Sequence, residues 1–320
     1  MDADFDLALT PLRLTCRANT FVHLAAHAGA QWRGALWEAL RDFACTDPGQ
    51  QGKPGHSLHC PMCFLLALEA NSPRGVNPPR PLIIRPPMAA RAGEECRYEA
   101  GETFAFDVIL VGKATHLYPY VIQAAQRIGQ AGFAHGRGRY LLERVESLQP
   151  LTHARRTLYE AGGRVCPPDA PLGVAEVAAA AEQLPAERLW LRFLTPTQLT
   201  EGERILNRPQ METLVKRAVE RLQALEYHYG QAAAHEVWKT RHHALTAQAA
   251  AVRIIRDDTR WIRAFSGSQR AKRRQDVSGF VGSALVEGDV RALRSWLVWA
   301  SLVNVGKNII KGNGWLEVSG

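Results

Sequence analysis

The chain has 320 residues, 46% of them hydrophobic, a length that allows about two ordinary domains with their own cores. Its formal net charge of +8 and pI near 9.4 favour a polyanionic partner, most simply RNA or DNA. No apolar run approaches the roughly 20 residues of a membrane span, and acidic residues 1–4 lack a signal-peptide pattern. We therefore expect a cytoplasmic protein with no membrane partner. Its six cysteines are too sparse for a disulfide scaffold.

The first half of the chain shows the predicted order strand, helix, strand, strand, helix, strand. Strands are expected at residues 9–16, 81–85, 104–111 and 140–145, and helices at 31–43 and 118–128. This is the order of a ferredoxin-like fold. A predicted loop at residues 21–29 holds two histidines, and a loop rich in Gly, Pro, His and Cys spans 47–61.

The second half repeats the order after a predicted linker, residues 149–185. Strands are expected at 189–194, 280–286 and 315–318, and helices at 209–229 and 290–303. Residues 230–265 are predicted to be a helical insertion. We therefore predict an α+β protein with tandem ferredoxin-like (RRM-like) domains, residues 1–148 and 186–320, each an antiparallel sheet packed against helices.

Each half ends with a helix, a glycine-rich basic loop and a strand. Glycines allow the backbone to approach a phosphate closely, and the cations supply charge. For the second loop, the alternative is that its glycines let it pack over the sheet. The predicted RNA contacts are His135, Arg137 and Arg139 in the first loop, and Gly306, Lys307, Lys311, Gly312 and Gly314 in the second.

A basic segment from Lys239 to Arg274 carries ten cations against two acids, with aromatic residues interleaved. Aromatic rings can stack on bases, so this composition favours RNA binding, and the alternative is a solvated helix face followed by a basic loop. The densest group of cations is Arg270, Lys272, Arg273 and Arg274.

Short motifs on both halves of the chain match a known family in their order and spacing. They are Arg33-Gly34-Ala35-Leu36, Cys60-Pro61-Met62-Cys63, Gly101-Glu102, Arg274-Gln275, Gly279-Phe280-Val281-Gly282, Gly288-Asp289 and Val305-Gly306-Lys307. With these motifs the chain resembles the RAMP superfamily, and specifically the sixth Cas family, the endoribonucleases that cut CRISPR repeat RNA. Two departures are Asn304, where that family usually has histidine, and the inserted residues 309–311.

This resemblance implies a metal-independent endoribonuclease without a cofactor. It would bind the repeat hairpin and cut pre-crRNA at the 3′ base, by 2′-hydroxyl attack that leaves a 2′,3′-cyclic phosphate and a 5′-hydroxyl. It would remain with its crRNA product, alongside other Cas subunits. Asn304 favours the alternative of a RAMP subunit that holds crRNA without cutting it.

Proton transfer in such a reaction suits histidine, whose pKa of about 6.5 makes both forms accessible. In the resembling superfamily, a histidine or tyrosine near the first helix often supplies the base. His27 is therefore the first candidate and His23 the second, and Arg33 is a candidate phosphate ligand. The alternative is that these histidines cap a strand or face solvent.

The cysteines raise a separate possibility. Cys60 and Cys63 form a Cys-x-x-Cys pair that could bind zinc tetrahedrally with Cys45 and with His56 or His59. Because a second Cys-x-x-Cys pair is absent, free thiols are the expectation and a structural zinc site is the alternative.

Overall fold

The computed structural model describes residues 5–68, 78–91, 93–230, 235–268 and 273–320. The chain divides into two compact units. The N-terminal unit comprises Leu7–Leu172 and His228–Gly230, and the C-terminal unit comprises Met1–Asp6, Gly173–Tyr227 and Gln231–Gly320. None of the helices in the described ranges has the length and apolar character needed to cross a membrane.

The N-terminal unit is built on one five-stranded antiparallel sheet, with strand order β3-β5-β1-β6-β7. A second, small sheet pairs β2 with β4. In chain order the elements are β1 (Leu9–Ala18), β2 (Val22–Leu24), α1 (Gly29–Ala44), α2 (Pro54–Ser57), α3 (Pro61–Leu66), β3 (Leu82–Arg85), β4 (Cys96–Tyr98), β5 (Thr103–Val111), α4 (Tyr118–Ala131), β6 (Tyr140–Leu148) and β7 (Arg155–Glu160).

Helix α1 shows why this unit folds as it does. Its apolar residues Trp32, Leu36 and Leu40 recur at a spacing of four and are fully buried, which places one face on the sheet. The Trp32 ring stacks on Phe106 of β5, with ring centroids 3.8 Å apart. Burying a side chain of this size contributes roughly 2–3 kcal/mol.

The C-terminal unit is built on a sheet of order β11-β15-β8-β16, with β12 also paired to β15. Two hairpins, β9-β10 and β13-β14, stand outside this sheet. The elements are α5 (Val174–Glu182), β8 (Arg188–Thr197), β9 (Leu199–Glu201), β10 (Arg204–Leu206), α6 (Met211–Tyr229), α7 (His235–Ala250), β11 (Arg253–Asp257), β12 (Arg260–Ile262), β13 (Phe265–Ser268), β14 (Arg273–Asp276), β15 (Gly279–Glu287), α8 (Arg294–Val303) and β16 (Leu316–Ser319).

Both main sheets have the same topology. In each, the second strand of the repeat lies at one edge, followed by the third, the first and the fourth: β3-β5-β1-β6 and β11-β15-β8-β16. This is the antiparallel arrangement of the β-α-β-β-α-β motif. The predicted fold class, tandem ferredoxin-like domains with antiparallel sheets packed on helices, is confirmed.

Three segments differ in detail from the sequence-based prediction. The predicted loop at 21–29 contains β2, and the predicted linker at 149–185 contains β7 and α5. In the predicted helical insertion at 230–265, only α7 is helical in the described residues; β11 and β12 then pair with β15. The β-branched and aromatic residues of β11 and β12 explain the strands, because such side chains pack well on a pleated surface.

Candidate RNA-binding and catalytic site

His23 lies at the centre of β2, where the pairing with β4 places it opposite Arg97. Its Nε2 atom is 2.7 Å from Oε2 of Glu95, the residue just before β4. This hydrogen bond lowers the pKa of the Glu95 carboxyl, with a further contribution from Arg97. A carboxylate bonded to one ring nitrogen fixes the orientation of a histidine, as a base requires.

The first glycine-rich loop, residues 129–138, contacts His23 directly. The backbone N–H of His135 donates to the His23 carbonyl at 3.2 Å, and the two residues form an isolated β-bridge. Their rings lie edge to face with centroids 5.5 Å apart. The loop therefore brings a second imidazole beside the first.

Two glycines explain how the loop reaches this position. A Cβ on Gly138 would lie 2.5 Å from the Phe21 carbonyl oxygen, so no other residue allows this close approach. Gly132 adopts φ +77°, and its absent Cβ would meet the Arg137 carbonyl at 2.3 Å. Close packing against backbone atoms accounts for the glycine at both positions.

The rim of this loop is exposed and basic. His135, Arg137 and Arg139 are all exposed. The Arg137 guanidinium donates to the Ala131 carbonyl at 3.2 Å, which leaves further donors directed at solvent. Phe21, 45% exposed, lies beside His23 with ring centroids 6.1 Å apart and offers a face on which a base could stack.

His27 lies in the turn that enters α1. It is half-buried, and desolvation lowers the pKa of its imidazole, so the neutral form is favoured near pH 7. The turn is held by a hydrogen bond from the Ala25 backbone N–H to Gln31 Oε1 at 2.9 Å. Of the two candidate histidines, His23 is the one whose described contacts include the glycine-rich loop.

Arg33 lies on α1, half-buried, with its guanidinium carbon 5.1 Å from the centroid of the Trp37 ring. This cation–π contact holds the side chain along the helix. The arrangement is compatible with the predicted phosphate contact because a stacked guanidinium keeps donors at its edge.

The second glycine-rich loop is tied to the β13-β14 hairpin. The Lys311 ammonium donates to Ser266 Oγ at 2.7 Å and to Gln275 Oε1 at 2.5 Å. A Cβ on Gly306 would lie 2.6 Å from the Gln198 carbonyl oxygen, and one on Gly314 would lie 2.0 Å from the Val305 carbonyl oxygen. Internal packing therefore requires these glycines. Lys307 is exposed, and Gly312 is buried with φ +82°.

Asn304 is fully buried at the C-terminal end of α8, and its Nδ2 donates to the Asn313 carbonyl at 3.1 Å. Its backbone has φ 59° and ψ 157°. The Asn304 side chain, at the position where histidine was expected, thus holds the second glycine-rich loop through a buried hydrogen bond.

The predicted basic cluster falls partly on the β13-β14 hairpin. Arg274 is exposed on β14, with its guanidinium carbon 5.0 Å from the Phe265 ring centroid. Arg270 and Lys272 lie outside the described residues, as does the side chain of Arg273.

The three cysteines of the candidate zinc site come together in the structure. Cys45, Cys60 and Cys63 lie with His56, and their potential ligand atoms are all within 4.8 Å of one another. His59, the other histidine considered, is exposed and outside this group.

Sequence reasoning missed Glu95 and Phe21. Glu95 stands 72 positions from its partner, and the pairing of β2 with β4 that joins them leaves little periodic signal in three-residue strands. Phe21 had a signal, an aromatic residue two positions before His23 at the same strand spacing.

Two family models match the chain. Residues 7–170 match the AF_1859_N model, described as an N-terminal domain, and residues 191–316 match the model of the CRISPR-associated endoribonuclease Cas6. No curated protein sequence matches the chain significantly.

Solved Cas6 structures share the fold over nearly the whole chain. Thermus thermophilus Cas6 (TTHB231) is 14% identical with a TM-score of 0.54, covering 98% of each chain. A product complex of Cas6 (TTHA0078) is 16% identical with a TM-score of 0.52, covering 98% of this chain and 100% of that one. A partial Cas6-RT-Cas1–Cas2 complex is 13% identical with a TM-score of 0.56, covering 99% of this chain and 46% of that one. By its family model, the part of the chain from residue 191 to residue 316 belongs to the CRISPR-associated endoribonuclease Cas6 family, and the whole chain shares the tandem fold of solved Cas6 structures.

Proposed function

We propose that this protein is a metal-independent endoribonuclease that binds CRISPR repeat RNA and cuts pre-crRNA at the 3′ base of the repeat hairpin. The observation that carries the proposal is His23, oriented by Glu95 and placed against His135 of a basic glycine-rich loop. Related Cas6 structures support it: TTHA0078 was solved as a product complex, as a substrate-mimic complex and as a histidine-to-alanine mutant.

The chemistry follows from the imidazoles. When His23 donates its Nε2–H to Glu95, its Nδ1 carries a lone pair that can accept a proton from a 2′-hydroxyl. The 2′-oxygen then attacks the adjacent phosphorus, the bond from phosphorus to the 5′-oxygen breaks, and a second group protonates the leaving oxygen. The products are a 2′,3′-cyclic phosphate and a 5′-hydroxyl.

His27 is the alternative base. The lowered pKa of its imidazole keeps it neutral, and therefore able to accept a proton, over the whole neutral pH range. If His27 takes this role, His23 and His135 are available for the leaving oxygen and for the developing phosphorane charge.

Exposed cations on the same unit suit an RNA backbone. Arg137 and Arg139 follow His135 in the sequence, and both supply donors that match phosphate oxygens. Phe21 adds a stacking surface at the same rim. We infer that repeat RNA binds across this rim and that the product crRNA stays bound. Another Cas6 of this fold occurs in a Cas6-RT-Cas1–Cas2 complex, which supports association with other Cas proteins.

The test is single-turnover cleavage of the cognate repeat hairpin with excess protein, with EDTA added immediately before the RNA. We expect the wild type to cut once at the 3′ base of the hairpin and to leave a 2′,3′-cyclic phosphate. His23→Ala or His27→Ala should slow the reaction by about 10²-fold or more without abolishing binding. His153→Ala, at an exposed turn histidine, is the matched control.

Tight binding of the hairpin with no cleavage by the wild type would instead identify a non-catalytic crRNA-binding subunit. Cleavage that both histidine variants retain in full would place the proton-transfer groups elsewhere.

A further inference from the structure

A compact group of four side chains lies on the N-terminal unit, on the segment between α1 and β3. Cys45 is the residue at the C-terminal cap of α1, His56 lies in α2, Cys60 caps the N-terminus of α3, and Cys63 lies within α3. All four potential ligand atoms fall within 4.8 Å of one another. Cys60 and Cys63 are buried, and Cys45 and His56 are half-buried.

The distance between the Cys45 sulfur and the His56 nitrogen fits a tetrahedral metal site. With zinc–sulfur bonds of about 2.3 Å and zinc–nitrogen bonds of about 2.0–2.1 Å, a tetrahedron places sulfur and nitrogen about 3.5 Å apart. Cys45 Sγ and His56 Nε2 are 3.5 Å apart. A disulfide would need two sulfurs at about 2.05 Å, and the cysteines are free thiols in the structure.

A side-chain donor lies beside the sulfur atoms. The Gln51 amide Nε2 lies 3.8 Å from Cys45 Sγ. Such donors stabilise thiolates, and metal-bound thiolates typically have them.

We propose that Cys45, His56, Cys60 and Cys63 bind one structural zinc ion. Three thiols release their protons to solvent on binding, and His56 coordinates through the lone pair of Nε2. Three thiolates and an imidazole form a ligand set that favours zinc among the common divalent ions. Four protein ligands complete the tetrahedron, so the ion has no open position for a substrate.

A zinc ion at this site would stabilise short helices that need support. Helices α2 and α3 have only four and six residues, too short to be stable by themselves. The ion would connect both helices to the end of α1 and close the 45–63 segment. Its binding free energy would then contribute directly to the stability of the N-terminal unit. This proposal is independent of the proposed RNA cleavage.

The experiment is elemental analysis of the purified full-length protein, with any histidine tag removed. We expect about one zinc per chain. A Cys60→Ser, Cys63→Ser double variant should lose the metal and unfold at least about 5 °C lower than the wild type. Matched controls are His59→Ala, the exposed neighbour, and Cys166→Ser, the exposed cysteine; both should keep their zinc.

A second measurement does not depend on the folding of variants. Wild-type protein stripped with a chelator and reloaded with Co²⁺ should show the intense visible bands of tetrahedral cobalt and the near-ultraviolet sulfur-to-cobalt charge transfer.

A single variant tests the nitrogen ligand separately. His56→Cys should retain the metal and change that spectrum, because nitrogen is replaced by a fourth sulfur.

Two results would overturn the proposal. The first is a metal-free protein whose melting temperature is unchanged by zinc or chelator. The second is a disulfide between two of Cys45, Cys60 and Cys63, found by peptide mapping of the unfolded, unreduced chain.

Discussion

The rings of His23 and His135 lie edge to face with centroids 5.5 Å apart, although the residues are separated by most of the N-terminal unit in sequence. The contact depends on two local features: β2, which holds His23 beside β4, and a glycine-rich loop that closes on Phe21. Two imidazoles with a carboxylate on one of them are suited to the acid and base functions that the proposed RNA cleavage needs. The first prediction tests this group.

Glu95 is predicted to act as a positioning residue for His23. Glu95→Gln should slow cleavage by about tenfold and shift the pH–rate profile, because the amide no longer holds the Nε2–H tautomer as strongly. In the His23→Ala background, the same change should have no further effect. Glu94→Gln, one residue away and exposed, is the control. Full activity of Glu95→Gln at every pH would contradict the assignment.

His27 should make the protein less stable in acid. Its folded pKa lies below the unfolded value of about 6.5, so the unfolded chain binds a proton first as the pH falls. The contribution of neutral His27 to the free energy of unfolding is fully present above pH 6.5. It is lost as the pH falls through that value toward the lowered folded pKa. His228, whose pKa is also lowered by burial, adds to this loss.

Urea unfolding of wild type and His27→Gln at pH 7.5 and pH 5.5 measures this effect. The variant should lose less stability between the two pH values than the wild type, whereas His153→Gln should behave like the wild type. An equal loss in His27→Gln and the wild type would mean that His27 does not titrate differently in the folded state.

Gly314 is predicted to be irreplaceable for packing reasons. Gly314→Ala forces a Cβ to within 2.0 Å of the Val305 carbonyl oxygen at φ +75°, and should lower the free energy of unfolding by about 3 kcal/mol. Gly202→Ala, at φ +56° with open space around it, should cost only about 1 kcal/mol of backbone strain. Similar losses in the two variants would show that the loop can shift to admit the methyl group.

Asn304 combines a buried hydrogen bond with a backbone conformation that glycine adopts most readily. Asn304→Gly and Asn304→Ala both remove the bond to Asn313, so the difference between them reports the strain. We expect the glycine variant to be about 1–2 kcal/mol more stable than the alanine variant by chemical denaturation. Greater stability of the alanine variant would mean that the loop relaxes to another conformation.

Arg137 and Arg139 should contribute to RNA affinity through charge. The double variant Arg137→Ala, Arg139→Ala should bind the repeat hairpin more weakly. The slope of log K against log salt should become shallower by about 0.7 for each phosphate that the variant no longer neutralises. Arg164→Ala, an exposed arginine elsewhere on the unit, is the control. An unchanged slope in the double variant would remove these residues from the RNA interface.

The regular elements could be predicted because their periodicity is strong. Helix α1, with Trp32, Leu36 and Leu40 on one face, and the central strands β1, β5, β8 and β15 lie close to their expected positions. The repeated strand order therefore indicated the tandem fold. The short strands β2 and β4 have too few residues to show an alternating pattern. Strands β11 and β12 follow a helix in a continuously basic segment, so the sequence did not mark where the helix ends and the strands begin.

The sequence indicated individual candidate residues of the site, but it did not indicate which of them lie side by side in the fold. His23, His135, His56 and the cysteines stood out by type and local spacing. Glu95 is brought to His23 only by long-range strand pairing, and the fold of a short loop places His56 rather than His59 beside the cysteines. The glycines of the second loop show the reverse case. Their spacing suggested a phosphate cradle, and Gly306 and Gly314 are in fact required by backbone atoms of their own unit.

The fifth strand of the N-terminal sheet has a consequence for self-association. Strand β7 covers the outer edge of β6, whereas in the described part of the C-terminal sheet no further strand lies beyond β16. Unpaired strand edges recruit other strands, in aggregation or in the docking of a partner chain. The C-terminal edge has only four residues and carries Glu317 opposite Arg192, two features that discourage such pairing. Two halves with one topology have thus acquired different protection for the same edge, one by an added strand and the other by brevity and charge.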